Sequence, residues 1–194
     1  ATGVVDQPKL LGAERVKAGD QLIAMAASGF HANGYSLIRH IVRELNLDLN
    51  RKYEDFDKTL GEILITPTQI YALDCLALAK SLGTKLKTFV HVTGGGLVEN
   101  TARVIPNGVT AVFDRGSWQL PLAVNFLASE AKLAQAEYER TWNCGVGMVA
   151  IVEPESANLT IELLASRGMK AWSAGVVNSG SQLRSSLEGA YATR

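Results

Sequence analysis

The pattern that most constrains this chain is an apolar run that stops at glycines and restarts as a helix, and it occurs twice. DQLIAMAA (Asp20–Ala27) is a short continuous apolar stretch that reads as a buried strand. It runs into SGFHANG (28–34). YSLIRHIVRELNL (35–47) then places Leu37, Ile38, Ile41, Val42 and Leu45 on one helical face, with Arg39, Arg43 and Glu44 off it. The second instance is LKTFVHV (86–92), a strand, then the turn TGGG (93–96). The helix that follows, GLVENTARVI, has Leu97, Val98, Thr101, Val104 and Ile105 on one side. Where a strand ends in glycines before a helix, free backbone N–H groups point outward and no Cβ blocks the approach of an anion.

The remaining punctuation sets the architecture. LNRKYEDFDK (49–58) reads as a polar loop with a short helix. Pro67 marks a boundary before TQIYALDCLALAKSLG, a helix with Thr68 as N-cap and Gly83 as C-cap. VTAVFD (109–114), GVGMVAIVE (145–153) and KAWSAGVV (170–177) read as strands. LPLAVNFLASEA, AQAEYERTW and ANLTIELLASRG read as helices, the last ending at Gly168. Strands and helices mix without strict alternation, so the expected fold is α+β, a mixed sheet covered by helices in one domain. The Ser/Gly-rich stretch 179–194 has little periodicity and is expected to be a mobile tail.

At the first glycine turn, Asn33 and Ser36 offer hydrogen bonds, and His31 offers one together with a proton exchangeable near neutral pH. The residues leave two readings open, a phosphate site and a tight turn that happens to hold a histidine. The three consecutive glycines 94–96 are costly to order and need a reason, either φ > 0 or a close backbone approach. Asn100 follows one helical turn later. His91, inside an apolar strand, reads as structural. In TWNCGVGMV (141–149), Gly145 and Gly147 permit a close approach, for which packing is the simpler account. DRGSW (114–118) reads as a recognition loop or as an Asp–Arg surface turn. No triad, carboxylate pair or metal-ligand spacing is visible, and no metal site is expected in this chain.

Composition excludes some partners. The 19 basic and 19 acidic residues balance, so a broad nucleic-acid surface is not indicated. No apolar run is long enough for a membrane span, and the N-terminus lacks the basic and apolar regions of a signal peptide. Cys75 and Cys144 lie far apart outside any CxxC spacing, as reduced thiols in the cytoplasm would.

Taken in order, GDQLIAMAASGFHANGYSLIR, ITPTQIY, HVTGGGLVENTARVIP, DRGSW and TWNCGVGMV resemble the C-terminal half of the phosphoribosylformylglycinamidine cyclo-ligases, the aminoimidazole ribonucleotide synthetases. The resemblance runs from about Gly3 to about Val177. The departures are Ala27 and Ala32 where the family usually has serines, Gln69 for arginine, and Cys144 where methionine is common.

The resemblance implies an α/β/α layered domain over residues 1–178. Residues 1–19 would be a lead-in from an N-terminal domain absent from this chain. It also implies an ATP-dependent ring closure in purine biosynthesis. ATP phosphorylates the amide oxygen of formylglycinamidine ribonucleotide, an internal nitrogen attacks, and aminoimidazole ribonucleotide, ADP and phosphate result. The full-length enzymes are homodimers, with Mg²⁺ ligands expected in the missing domain, so the isolated chain is expected to be inactive. His31 is the implied catalytic residue. Ser28, Gly29, Asn33, Gly34, Tyr35 and Ser36 form the implied phosphate or substrate site. Thr93, Gly94, Gly95, Gly96 and Asn100 would make a second wall, and Asn143 and Gly145 would line the same cleft. The competing readings are another ATP-dependent enzyme of the same plan (selenophosphate synthetase, thiamine-monophosphate kinase, formylglycinamidine ribonucleotide synthetase) and a non-catalytic phosphate-binding or interaction module.

Overall fold

The structure, a computed structural model, describes residues 2–53, 55–180 and 183–193. Its centre is a six-stranded mixed sheet. The strands are β1 (Gln21–Ala26), β2 (Leu86–His91), β3 (Val109–Asp114), β4 (Val146–Val152), β5 (Ala171–Ser179) and β6 (Ser185–Glu188), in the order β2-β4-β1-β5-β3-β6. All pairs are antiparallel except β3 with β6.

The central strands β1 and β4 read as unbroken apolar runs because the middle of the sheet is buried on both faces. Leu22 and Ala24 of β1, with Val149 and Ile151 of β4, face one core, which Leu97 of α4 (Gly96–Ala102), Ile105 and Trp118 close. Ile23 and Met25, with Ala150 and Val152, face the other. Leu78 and Leu82 of α3 (Ala72–Leu82) and Leu164 of α7 (Ala157–Ser166) close that one. A third cluster joins α1 (Tyr35–Glu44), α2 (Leu60–Leu64) and α5 (Leu122–Glu130) around Phe30 and Trp142, with α6 (Gln135–Thr141) packed beside them.

Four details differ from the sequence reading. Helix α3 starts at Ala72, with Tyr71 and not Thr68 at the cap position, and no side chain caps it. The short helix lies just beyond 49–58, at α2, which a capping box between Thr59 and Glu62 starts. Within the stretch expected to be a mobile tail, Ser185–Glu188 forms β6 on the β3 edge. The guanidinium of Arg115 holds the tail there by donating to the carbonyls of Leu187 (2.7 Å) and Gly189 (3.2 Å). Helix α4 also ends at Ala102, shorter than its apolar pattern, ahead of the helix-incompatible Ile105-Pro106 step.

The pairing pattern makes β1, β2 and β3 mutually parallel, with β4 and β5 running against them. The ends of β1, β2 and β3 and the starts of β4 and β5 therefore share one edge. All the glycine motifs and DRGSW gather there, although up to about a hundred residues separate them in the chain.

Candidate functional site

The first glycine turn borders a cleft of about 710 Å³ whose walls are residues 31–36 with Arg39 on one side and 64–68 on the other. Gly34 stands at the head of α1 with φ 74°, and no side chain caps this helix. A side chain at Gly34 would run into the Trp142 ring, so both backbone and packing require glycine. The first-turn amides of α1 have no intrahelical acceptor and sit at the positive end of the helix dipole. The Ser28 hydroxyl donates to the Pro67 carbonyl (2.6 Å) and the Tyr35 hydroxyl to the Leu64 carbonyl, so both tie the walls together. The side chains of Asn33, Ser36 and Arg39 make no hydrogen bond or ion pair among the described residues. They are the groups left to meet a ligand.

His31 does not face the cleft with a free nitrogen. Its φ is 58°, and only 4% of the residue is exposed. Nε2 accepts the Ser28 amide (3.2 Å), which places the proton of the neutral ring on Nδ1. Nδ1 is buried without an acceptor. Burial, and secondarily the charge of His91, lowers its pKa, so the ring is neutral at pH 7. Behind it stands Tyr71, whose hydroxyl donates to the Ala26 carbonyl (2.7 Å). Gly147 provides the space for both rings.

The second glycine turn is built differently. Gly95 and Gly96 have φ of 102° and 71°, and a Cβ on Gly96 would collide with the Glu139 carbonyl of α6. The backbone approach therefore comes from a helix of the same chain. Asn100, 5% exposed, donates to the carbonyls of Thr93, Gly94 and Gly96 and accepts the Thr93 hydroxyl (3.0 Å). Its capacity is spent inside the turn. The residues Thr93–Gly96 and Asn100 thus do not line the first cleft, contrary to the expected second wall.

Asn143 is likewise internal. Its amide donates to the Gly29 carbonyl (2.8 Å) and its oxygen accepts the Gly145 amide (2.9 Å), which braces the first turn from behind. Gly145 (φ 95°) lines, with Ala26 and Ala27, a second cleft of about 520 Å³. DRGSW is a structural turn. Arg115 forms a two-pronged ion pair with Glu139 (2.7 and 2.8 Å), both 13% exposed, and the Trp118 indole donates to the Cys144 carbonyl (2.9 Å). Burial pushes the Glu139 carboxyl up, but hydrogen bonds from Arg115, Gln135 and Tyr191 more than offset this and hold it below its ordinary value. Among the described residues no three His, Cys, Asp or Glu side chains gather as a metal-ligand set, and no helix is long and apolar enough to cross a membrane.

Sequence reasoning missed Arg39, Thr66 and Thr68 as lining residues. Arg39 was legible, since it follows Tyr35 by four and Ser36 by three and so shares their side of the helix. The 64–68 wall falls within the quoted ITPTQIY, but nothing local tied that motif to the glycine turn, because it reaches the turn across about thirty residues.

The arrangement has known relatives. Residues 17–188 match the family described as AIR synthase related protein, C-terminal domain. A Streptomyces fradiae protein provisionally named phosphoribosylformylglycinamidine cyclo-ligase is 46% identical over 163 residues, covering 84% of this chain and 88% of its own length. The phosphoribosylformylglycinamidine cyclo-ligase of Sorangium cellulosum is 42% identical over 178 residues, covering 91% of this chain and 51% of the enzyme. The chain thus spans nearly all of the first relative and about half of the second. The hydrogenase maturation protein HypE in complex with ATP shares the fold, with a TM-score of 0.60 at 16% identity over 92% of this chain and 50% of that one. The match over most of the chain and two relatives above 40% identity lead to one conclusion: the chain belongs to the AIR synthase related protein family, as its C-terminal domain.

Proposed function

We propose that the chain forms the C-terminal half of an ATP-dependent phosphoribosylformylglycinamidine cyclo-ligase, and that the first cleft takes a phosphate group of the substrate. The observation that carries this reading is the uncapped start of α1 beside the unpaired guanidinium of Arg39. The amides hold the anion, Asn33 and Ser36 add donors, and Arg39 supplies the balancing charge. When ATP is bound it supplies the phosphoryl group that activates the amide oxygen, and its Mg²⁺ is held by the N-terminal domain. Relatives above 40% identity favour this over enzymes that share only the fold, such as HypE at 16% identity.

His31 takes a positioning role in this reading. It holds the Ser28 amide and fixes the turn, and protonation of an intermediate by it would require the turn to open. A second observation supports a missing partner domain. Ile65 of the 64–68 wall, Ile70 after it, and Leu73 and Leu76 of α3 lie 79%, 77%, 70% and 49% exposed, an apolar surface that solvent does not favour. The proposed occupant is the enzyme's own N-terminal domain, in a homodimeric cytoplasmic enzyme, and the isolated chain has no turnover.

The test is kinetic, in a protein carrying both halves. Arg39→Ala raises KM for formylglycinamidine ribonucleotide by about tenfold, the worth of one charge-assisted phosphate contact. An unchanged KM and kcat would remove phosphate binding from this cleft.

A further inference from the structure

The second cleft has a chemistry unlike the first. It opens at the same edge of the sheet, beside Ala26 and Ala27, and encloses about 520 Å³. Trp118 and Trp172 form its aromatic wall, with ring centroids 6.2 Å apart and planes at 42°, and Pro121 faces them across Gly145. Lys170 stands at its border, exposed, and its ammonium has no hydrogen bond or ion pair among the described residues. No acidic side chain lines the cleft. The Trp118 indole N–H is used on the Cys144 carbonyl, whereas the N–H of the half-buried Trp172 is buried without an acceptor.

We propose that this cleft binds a planar aromatic ring carrying an anionic group, as a nucleoside monophosphate does. The half-buried Trp172 and Pro121, with the small exposed part of Trp118, offer surfaces on which a heteroaromatic ring packs. Lys170 is an unopposed cation within reach of the anionic substituent. A small turn of Trp172 would give its orphan N–H an acceptor on the ring, a gain because an unpaired buried donor is costly. The first cleft, by contrast, is framed by hydroxyls, amides and a guanidinium, and its aromatic rings are the buried imidazole of His31 and Tyr35, already tied by its hydroxyl. The inference therefore does not depend on what the first cleft holds.

The chain has three tryptophans, and each reports a different place. Trp118 and Trp172 line the second cleft, whereas the Trp142 indole leans on Gly34 of the first turn. The experiment is a titration of the ¹⁵N-labelled 194-residue chain with AMP, following the three indole N–H signals after assignment by Trp→Phe variants. The expected result is a saturable shift of the Trp172 and Trp118 signals with Trp142 still. Lys170→Ala then weakens AMP about fivefold, in the range of one partly exposed charge contact. Adenosine shifts the same signals with weaker affinity, and ribose 5-phosphate leaves them unmoved. The absence of a saturable shift, or one that Lys170→Ala leaves unchanged, overturns the proposal. So does a shift centred on Trp142 and lost in Arg39→Ala, which would put AMP in the first cleft. Failure of the first-cleft reading shows separately, as Arg39→Ala having no effect on substrate KM while the Trp172 response to AMP persists.

Discussion

Gly147→Ala should destabilise the protein, although backbone considerations alone favour the substitution. Gly147 lies in β4 with no positive φ, so alanine fits its backbone, and removing a strand glycine is ordinarily worth about 0.5–1 kcal/mol. The added methyl, however, would overlap the Tyr71 hydroxyl and stand 2.7 Å from both the Tyr71 Cζ and the His31 Cε1. Both residues are 4% exposed, and Tyr71 is fixed by its bond to the Ala26 carbonyl, so neither ring has a free direction in which to move. Overpacking of this kind costs about 1–3 kcal/mol, and loss of the Tyr71 hydrogen bond adds about 1 kcal/mol. The expected net is about 2–3 kcal/mol, or a Tm lower by about 4–12 °C for a domain of this size. Tyr71→Phe alone should cost about 1 kcal/mol. With the hydroxyl gone, Gly147→Ala collides less, so the double variant should be more stable than the sum of singles by about 1 kcal/mol. Urea unfolding of the four proteins measures this. A neutral or stabilising Gly147→Ala, or strict additivity, would refute the packing of His31 and Tyr71 over this glycine.

Three further outcomes follow from the same geometry. His31 has a depressed folded pKa, so its contribution is present above the unfolded value near 6.5 and is lost as pH falls toward the folded value. Chemical unfolding between pH 7.5 and 5 should therefore show a fall in stability that is shallower in His31→Gln. Asn100→Ala strips the donor from three carbonyls of the second glycine turn and should cost about 2–3 kcal/mol with substrate binding in the first cleft unaffected, separating stability from affinity in one variant. Glu139→Gln leaves the Arg115 guanidinium, 13% exposed, short of its charge partner and should cost about 3 kcal/mol, with proteolysis at the 179–194 tail rising in step because Arg115 also holds that tail.

The elements were legible wherever burial wrote a continuous pattern. β1 and β4 show as unbroken apolar runs because the sheet is covered on both faces, and α1 shows its apolar face at the spacing of one helical stripe. β6 was not legible, because a four-residue edge strand, SSLE, carries no alternation of its own and is held by its pairing with β3 and by Arg115, both some seventy residues away. The glycine turns were legible as places of close approach, but not what approaches. At Gly96 it is the Glu139 carbonyl, at Gly34 the Trp142 ring, and neither neighbour has a local signature. The same limit applies to side-chain direction. His31, Asn100 and Asn143 have the chemistry of ligand contacts, yet each turns inward onto backbone, His31 and Asn100 onto their own turns and Asn143 onto the Gly29 carbonyl of a distant one, whereas Arg39 at the helix surface is the group left facing the cleft.

The central claim, that the uncapped start of α1 with Arg39 holds a substrate phosphate, is tested most directly by titrating the ¹⁵N-labelled chain with formylglycinamidine ribonucleotide and reading the backbone amides. The account predicts saturable shifts concentrated on Asn33 to Leu37, weakened about tenfold by Arg39→Ala and unaffected by Lys170→Ala. Saturable shifts elsewhere in the chain with the amides of 33–37 unmoved would contradict it.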